Sequence, residues 1–411
     1  MILDDAAAIL AGSVLEESRS LRAFVLRHFA AGTAFLAPQG SAAPAGAALV
    51  NGTAAVALEV DEGNRYTFGH PGAHVLPALW ASLGDEDADG ASFVAAFVAG
   101  YEVAARMARA ATLWPDAHPH GTWGAMGGAA ALGVLRGRAV AEIARATAVA
   151  GHLSVHTTFG AALRGSTVRN VYAGYAALSA LLADEAEGVT AAADGLADVF
   201  RPFDEDRLTE GLGTVYFMPH NYFKPYAACR YTHGTIDALT QLRSEIAGPD
   251  AVASIRVETY EIASRLTGWP YNTLSAKFSI PWAAAAALEG CADDPASFVW
   301  SAGRSERFSR WRALVDVAEN REFSALVPNL RPTGVEVKLR DGRTLRSRID
   351  LPIGEGDRPL GPEDLKRKAV RLLSSAGFSD SVAGAWALSV GALPESDSAK
   401  RSLEALLQGA N

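Results

Sequence analysis

Cysteine is almost missing from this chain: Cys229 and Cys291 are the only two in 411 residues, and neither belongs to a CxxC pair. That excludes a disulfide framework and a cysteine-based zinc site. Also missing is an apolar run of the roughly 18–20 residues, free of charge and of Gly or Pro, that a membrane span needs. The opening segment, MILDDAAAILAGSVLEE, puts acids before its short apolar stretch, the wrong charge order for a secretory signal. A cytoplasmic protein with no membrane partner is the expectation. GxxxxGK[ST], a GxGxxG after a strand, HExxH and GxSxG are absent as well. Nucleotide, dinucleotide, zinc-protease and serine-hydrolase chemistry thereby lose their usual support. Positive charge is in deficit, with a net charge of −9, so nucleic acid is not an expected partner either.

Acids are in turn missing locally. They number 46 over the whole chain, yet residues 143–183 and 211–236 contain none. The first gap holds Arg145, Arg164 and Arg169; the second holds His220, Lys224, Arg230 and His233. These stretches predict a local positive potential inside an acidic protein, suited to a small anionic substrate.

What the sequence has in abundance is Ala, Leu and Gly in helical patterns. Hydrophobic residues make up 49% of the chain, enough for two domains with substantial cores. ASFVAAFVAGYEVAARMARAA (91–111) is apolar around most of a helix, as an interior bundle helix is. GTWGAMGGAAALGVLRG (121–137) is rich enough in small residues for backbones to approach closely, which makes its glycines helix-packing residues and not a phosphate loop. Near residue 245 the texture changes. VASIRVETYEIASRL (252–266) alternates as a strand does, and TGVEVKLRDGRTLRSRIDLP (333–352) reads as a hairpin turning at Asp341-Gly342. Residues 277–290 and 296–320 read as helices, and 361–377 as a helix with a Pro start and a Gly stop. The predicted fold is mainly α with an α+β lid. A large helical domain spans 1–244 and is completed by the tail 376–411; a smaller α+β domain spans 245–375.

Candidate chemistry gathers in a few strings. EVDEGNRYTFGHPGAH (59–74) fits a polar loop with His70 capping the helix that begins at Pro71, an acid/base site, or a metal site using Glu59 or Asp61 with His70 and His74. HPHG (118–121) offers His118 and His120 as caps, or as ligands for a metal or a carboxylate. His152 and His156 are four apart on an apolar helix and read as satisfied core histidines. NYFKPYAACRYTHG (221–234) sets Lys224, Arg230 and His233 in an acid-free, aromatic segment, either a connector or the wall of an anion pocket.

Seven strings in order resemble the MmgE/PrpD family: LVNGTAAVALEVDE, HPGAHVLPALWA, GYEVAARM, HPHGTWGAMGGAAA, STVRNVYAGYAA, FKPYAACRYTHGTIDA and AKFSIPWAAAAAL. The resemblance covers nearly the whole chain. It implies a homodimer of two-domain subunits with a cofactor-independent, metal-free active site in the cleft between domains. It also implies a further helix before the LDDAAAILAGS segment. Dehydratases, decarboxylases and epimerases of small polycarboxylates belong to this family.

Carried over by position, the family's HP-motif histidine falls on His70, and the histidine before the GTxG segment on His118. The histidine closing the KPYPAC-type motif falls on His233, and a substrate-facing lysine on Arg169. The first Asp of the family's DFDDT falls on Glu59, its Thr on Gly63, and one residue is inserted before His70. The resemblance thus implies a lyase acting on a di- or tricarboxylate, with a histidine abstracting the proton next to a carboxylate. His70 and His233 would be the acid/base pair, with Glu59 and His118 completing the catalytic set and Arg169, Lys224 and Arg65 holding carboxylates. Elimination of water is the expected reaction, with decarboxylation or epimerisation as alternatives. A non-catalytic ligand-binding protein on the same fold is the alternative from another class.

Overall fold

The computed structural model describes residues 1–192, 194–404 and 407. The chain is mainly helical and carries one small mixed sheet. It divides into two compact units. The first comprises Met1–Phe159, Val168–Tyr222 and the chain from Gly361 on; the second comprises Gly160–Thr167 and Phe223–Leu360.

The first unit is a helical bundle. The helices Pro44–Ala57 and Val168–Glu185 pack together, and so do Gly90–Ala110 and Gly124–Leu135. Small residues make the second crossing possible. A Cβ on Gly127 would come within 2.5 Å of the Gly100 carbonyl oxygen, and one on Gly100 within 2.6 Å of that of Gly127. The Gly-rich string is therefore a packing surface. Gly90–Ala110 is long and apolar enough on average to cross a membrane, although Gly100, Glu102, Arg106 and Arg109 interrupt it, as expected from the sequence. Here it is a bundle helix whose charges are used inside the unit. The Glu102 carboxylate accepts from the amides of Phe217 and Met218, and Arg106 donates to the carbonyls of Leu208, Glu210 and Val215. His152 and His156 are not core residues: the helix Val140–His152 ends at the first, and both rings are exposed, His156 stacking on Trp114.

The helix Pro362–Ser375 packs on Ile2–Gly12 and on Asp380–Gly391, and so lies in the bundle, although its sequence position placed it with the α+β residues. Lys368 shows why: its ammonium reaches the Asp4 carboxylate and the Val60 carbonyl, each at 2.6 Å. Further along, the short helix Ala399–Glu404 delivers Glu404 to Trp80, whose indole N–H donates to it at 3.2 Å. Burial pushes the Glu404 carboxyl up to about 7. Since its folded pKa lies above its ordinary value, the folded state keeps a proton that the unfolded chain releases, and stability falls as pH rises from about 4.5 to about 7. In thermal unfolding, Glu404→Gln is expected to gain on the wild type as pH is raised through that window and to match it at lower pH. Equal midpoints at every pH would refute this.

In the second unit the sheet runs Val315–Glu319, Val252–Thr259, Thr333–Leu339, Thr344–Ile349, with the first pair parallel and the others antiparallel. The hairpin turns where the sequence placed it, Gly342 taking φ +93° and the Asp341 carboxylate accepting from the Arg343 amide. The helix predicted over 296–320 is shorter, Ala302–Arg312, and is followed by the edge strand Val315–Glu319. Five residues, VDVAE, are too few for alternation to separate strand from helix. Arg230–Leu242 packs on Ile280–Leu288 and on both hairpin strands, so the second unit has already begun at Phe223. A helix's composition does not disclose which core it will cover.

Candidate active site

Four histidines of the first unit form a connected group. The helix Pro44–Ala57 ends at Leu58, and Glu59 follows in the left-handed conformation, φ +57°, with its amide bonded back to the Val56 carbonyl. Glycine favours that position, and a side chain there costs about 1–2 kcal/mol. Glu59 uses its side chain: the carboxylate forms a buried ion pair with Arg169, which stands at the start of the helix Val168–Glu185. The chain then places Asp61 and Glu62 before the loop that returns to His70.

His70 is the N-cap residue of Pro71–Ser82, yet its side chain makes no capping bond. Its Nδ1 lies 2.6 Å from the Glu62 carbonyl and 2.9 Å from a carboxylate oxygen of Asp61. Nδ1 facing a carbonyl must carry the proton, which leaves Nε2 as the basic nitrogen. His74, one turn on, donates from Nδ1 to the His70 carbonyl at 2.7 Å, and its Nε2 lies 3.1 Å from Nδ1 of His120. Burial holds His74 near pKa 4, so its Nε2 accepts and the Nδ1 of His120 donates. His120 is kept neutral by burial, then by the charge of Arg169. Its Nε2 therefore presents a lone pair, and that atom is buried without a hydrogen-bond partner.

His118 stands differently. Arg169 Nε points at its Nε2 at 3.0 Å, and the His120 amide at its Nδ1 at 3.1 Å. Both nitrogens face donors, and a neutral imidazole has one lone pair, so only one contact is a true hydrogen bond. Burial and then the Arg169 charge hold His118 well below its usual pKa. Thr157 fixes its backbone by accepting from the His118 amide and donating to its carbonyl. Arg169 Nη1 donates to Val56 O and Asn170 Oδ1, and the residue is 1% exposed. The guanidinium expected to clamp a substrate carboxylate is thus occupied by Glu59, His118 and the backbone. Of the four rings only His70 keeps appreciable exposure, 9%.

Behind the His70 loop lies a set of buried acids that the sequence did not single out. Glu62 accepts from the Gly72 amide at 2.7 Å and from the Tyr101 hydroxyl at 3.2 Å, and the Glu62 amide donates to Asp5 at 3.3 Å. Burial raises the carboxyls of Asp4, Asp5 and Glu62, and their mutual repulsion raises Asp5 and Glu62 further. Asp4 and Asp5 come from the first helix, far from Glu62 in sequence, so no local motif could have joined them. Arg65 rides on the same loop, its guanidinium over the Tyr66 ring at 5.2 Å. One nitrogen of His70, one of His120 and a carboxylate oxygen of Asp61 lie within 4.8 Å of one another, an arrangement able to hold a cation. The sequence reading had paired His70 with His74; the structure gives His74 the task of orienting His120.

In the second unit, His233 lies on Arg230–Leu242 and is fully buried. Its Nε2 donates to the Ala228 carbonyl at 3.0 Å, and its Nδ1 faces Arg230 at 3.2 Å. Arg230 itself is bound by Glu355 and the carbonyls of Pro352 and Ile353. Lys224 is fully buried in the same unit.

Two family models match the chain. The MmgE/PrpD N-terminal domain covers residues 1–200 and the MmgE/PrpD C-terminal domain covers residues 226–384. A cis-aconitate decarboxylase of Aspergillus terreus is 23% identical over 370 residues, spanning 81% of this chain and 75% of the fungal protein. The protein of the same name from A. terreus strain NIH 2624 / FGSC A1156 is 24% identical over the same extent. With a domain model matched in each half, the order of motifs has its explanation: this chain belongs to the MmgE/PrpD family.

Proposed function

We propose that the protein is a lyase that transfers a proton at a carbon next to a carboxylate of a small di- or tricarboxylate, with His70 as the base. The observation that carries this is the anchoring of His70. With Nδ1–H held by the Glu62 carbonyl and Asp61, Nε2 is the ring nitrogen left to exchange a proton with substrate, on the one site histidine with appreciable exposure. A carboxylate behind a histidine fixes its tautomer and stabilises the imidazolium that forms. In the leading reading His70 takes the proton, hydroxide departs, and the substrate loses water overall. Glu59 and Arg169 position His118, which shapes the pocket, and His233 steadies Arg230 in its own unit.

Decarboxylation is the second reading, favoured by the fungal relatives. There CO2 leaves, and the electron pair left on carbon takes the proton of the His70 imidazolium. Incubation in D2O with citrate-like, aconitate-like and aminated succinate substrates, followed by NMR, separates the possibilities. A new alkene with water loss supports the first reading and CO2 release the second. Deuterium exchange without net change identifies an epimerase. No reaction across the panel would sink the lyase assignment.

A further inference from the structure

The orphaned nitrogen of His120 is the least expected feature of the first unit. A buried polar atom without a partner costs roughly 1–3 kcal/mol, and most such atoms in proteins have one. The ring cannot turn away, because its Nδ1 is bound to His74 and His74 to the His70 carbonyl. Its lone pair is thus aimed by two successive hydrogen bonds. Close to the His120 ring the structure supplies two further donor atoms of the kinds that divalent transition metals choose. One is a ring nitrogen of His70 and the other a carboxylate oxygen of Asp61, all three lying within 4.8 Å of one another.

We propose that Asp61, His70 and His120 bind one divalent transition-metal ion of the Zn2+ and Co2+ class, and that the bound ion silences the enzyme. Two neutral imidazoles and one carboxylate make a three-ligand set that leaves a coordination position open for water or a small anion. A tetrahedral ion holds its nitrogen ligands at roughly 2.0–2.1 Å, so the side chains must close by about an ångström, which rotation of the Asp61 carboxylate and the more exposed His70 ring can supply. The positive charge most opposed to a cation here is Arg169, and Glu59 neutralises it by direct pairing. His74 and the His70 carbonyl then form the outer shell, fixing His120 as a carbonyl-bound histidine fixes a metal ligand. The silencing rests on the function proposed above: an ion held by His70 and Asp61 takes the nitrogen or the carboxylate that proton transfer requires.

The test is titration of the chelator-treated, intact protein with CoCl2, followed by visible absorption and equilibrium dialysis. One Co2+ per chain is expected, with a low-symmetry visible band. His120→Ala and Asp61→Asn should each weaken binding by about tenfold or more. If His120→Ala does not fold by circular dichroism, the nearly isosteric Asp61→Asn carries the test. No retained cobalt, or equal binding by the folded variants, overturns the site. With a substrate from the panel, ZnCl2 should abolish turnover and a chelator should restore it; full activity of the metal-loaded protein overturns the silencing. Binding is read without turnover, so a protein inert on every substrate would refute the proposed function and leave the metal site standing.

Discussion

His70→Asn should lose about 10²–10⁴-fold in kcat while keeping its fold, the span that removal of a general base typically costs. Asparagine is the informative replacement. Its amide N–H can stand where Nδ1–H stands and donate to the Glu62 carbonyl and Asp61, but it has no nitrogen able to take up a proton. Little of the loss should therefore come from the scaffold. The residue is an N-cap that makes no side-chain capping bond, so the helix Pro71–Ser82 does not depend on the imidazole for its start. His70→Ala should show the same loss of kcat together with a modest fall in thermal midpoint, since it leaves the Glu62 carbonyl and Asp61 without that donor. The readout is kcat on the panel substrate, with circular dichroism on the same samples. Retention of more than about a tenth of the wild-type kcat by the Asn variant would remove His70 from the chemistry.

Lys368→Met should destabilise the protein by about 3–5 kcal/mol in denaturant unfolding at neutral pH, the usual cost of removing one partner from a buried ion pair. Lys368 is 3% exposed and Asp4 1% exposed, so solvent takes over neither half of the pair. The loss falls on a crowded place: Asp4 sits beside Asp5 and feels Asp61, and burial raises its carboxyl even with the lysine present. Without Lys368 the Asp4 carboxyl rises further and remains protonated to higher pH. The penalty should therefore grow as pH is raised and shrink as it is lowered. Adding Asp4→Leu to Lys368→Met should recover part of the loss, because the uncompensated charge goes with it. A single-variant cost under about 1 kcal/mol, or one independent of pH, would contradict the assigned pairing. The result bears on the site as well, since the same ammonium holds the Val60 carbonyl one residue before Asp61.

Much of this molecule was readable from local pattern. The interior helix Gly90–Ala110, the small-residue helix Gly124–Leu135 and the hairpin closed by Asp341-Gly342 all lie where periodicity and turn chemistry put them. Such signals concern neighbours within a few residues, and single-sequence reasoning handles those well. The strand Val315–Glu319 escaped because its register comes from Val252–Thr259, about sixty residues away in the chain. Pro362–Ser375 was legible as a helix, whereas Arg230–Leu242 begins inside a segment that read as a connector or pocket wall; the core each covers was settled by packing.

The site divides in the same way. His70, His118, Arg169 and Glu59 were identified by motif order, and all belong to one network in the first unit. Their roles were not legible. Arg169 looked like a free cation because charge counting along a chain cannot see that Glu59, 110 positions earlier, will be its partner. His118 was expected to complete the catalytic set, because a sequence does not show two donors aimed at one ring. His120 looked like a loop residue until His74 proved to be holding its Nδ1. By itself the sequence determined the family and the helical character and put forward the candidate site residues, because these follow from composition, period and motif order. Only the tertiary structure decided which ring nitrogen carries a proton, which charges are neutralised and which lone pair is left over. Those properties belong to contacts between distant segments in a dry interior, where each hydrogen bond fixes the next.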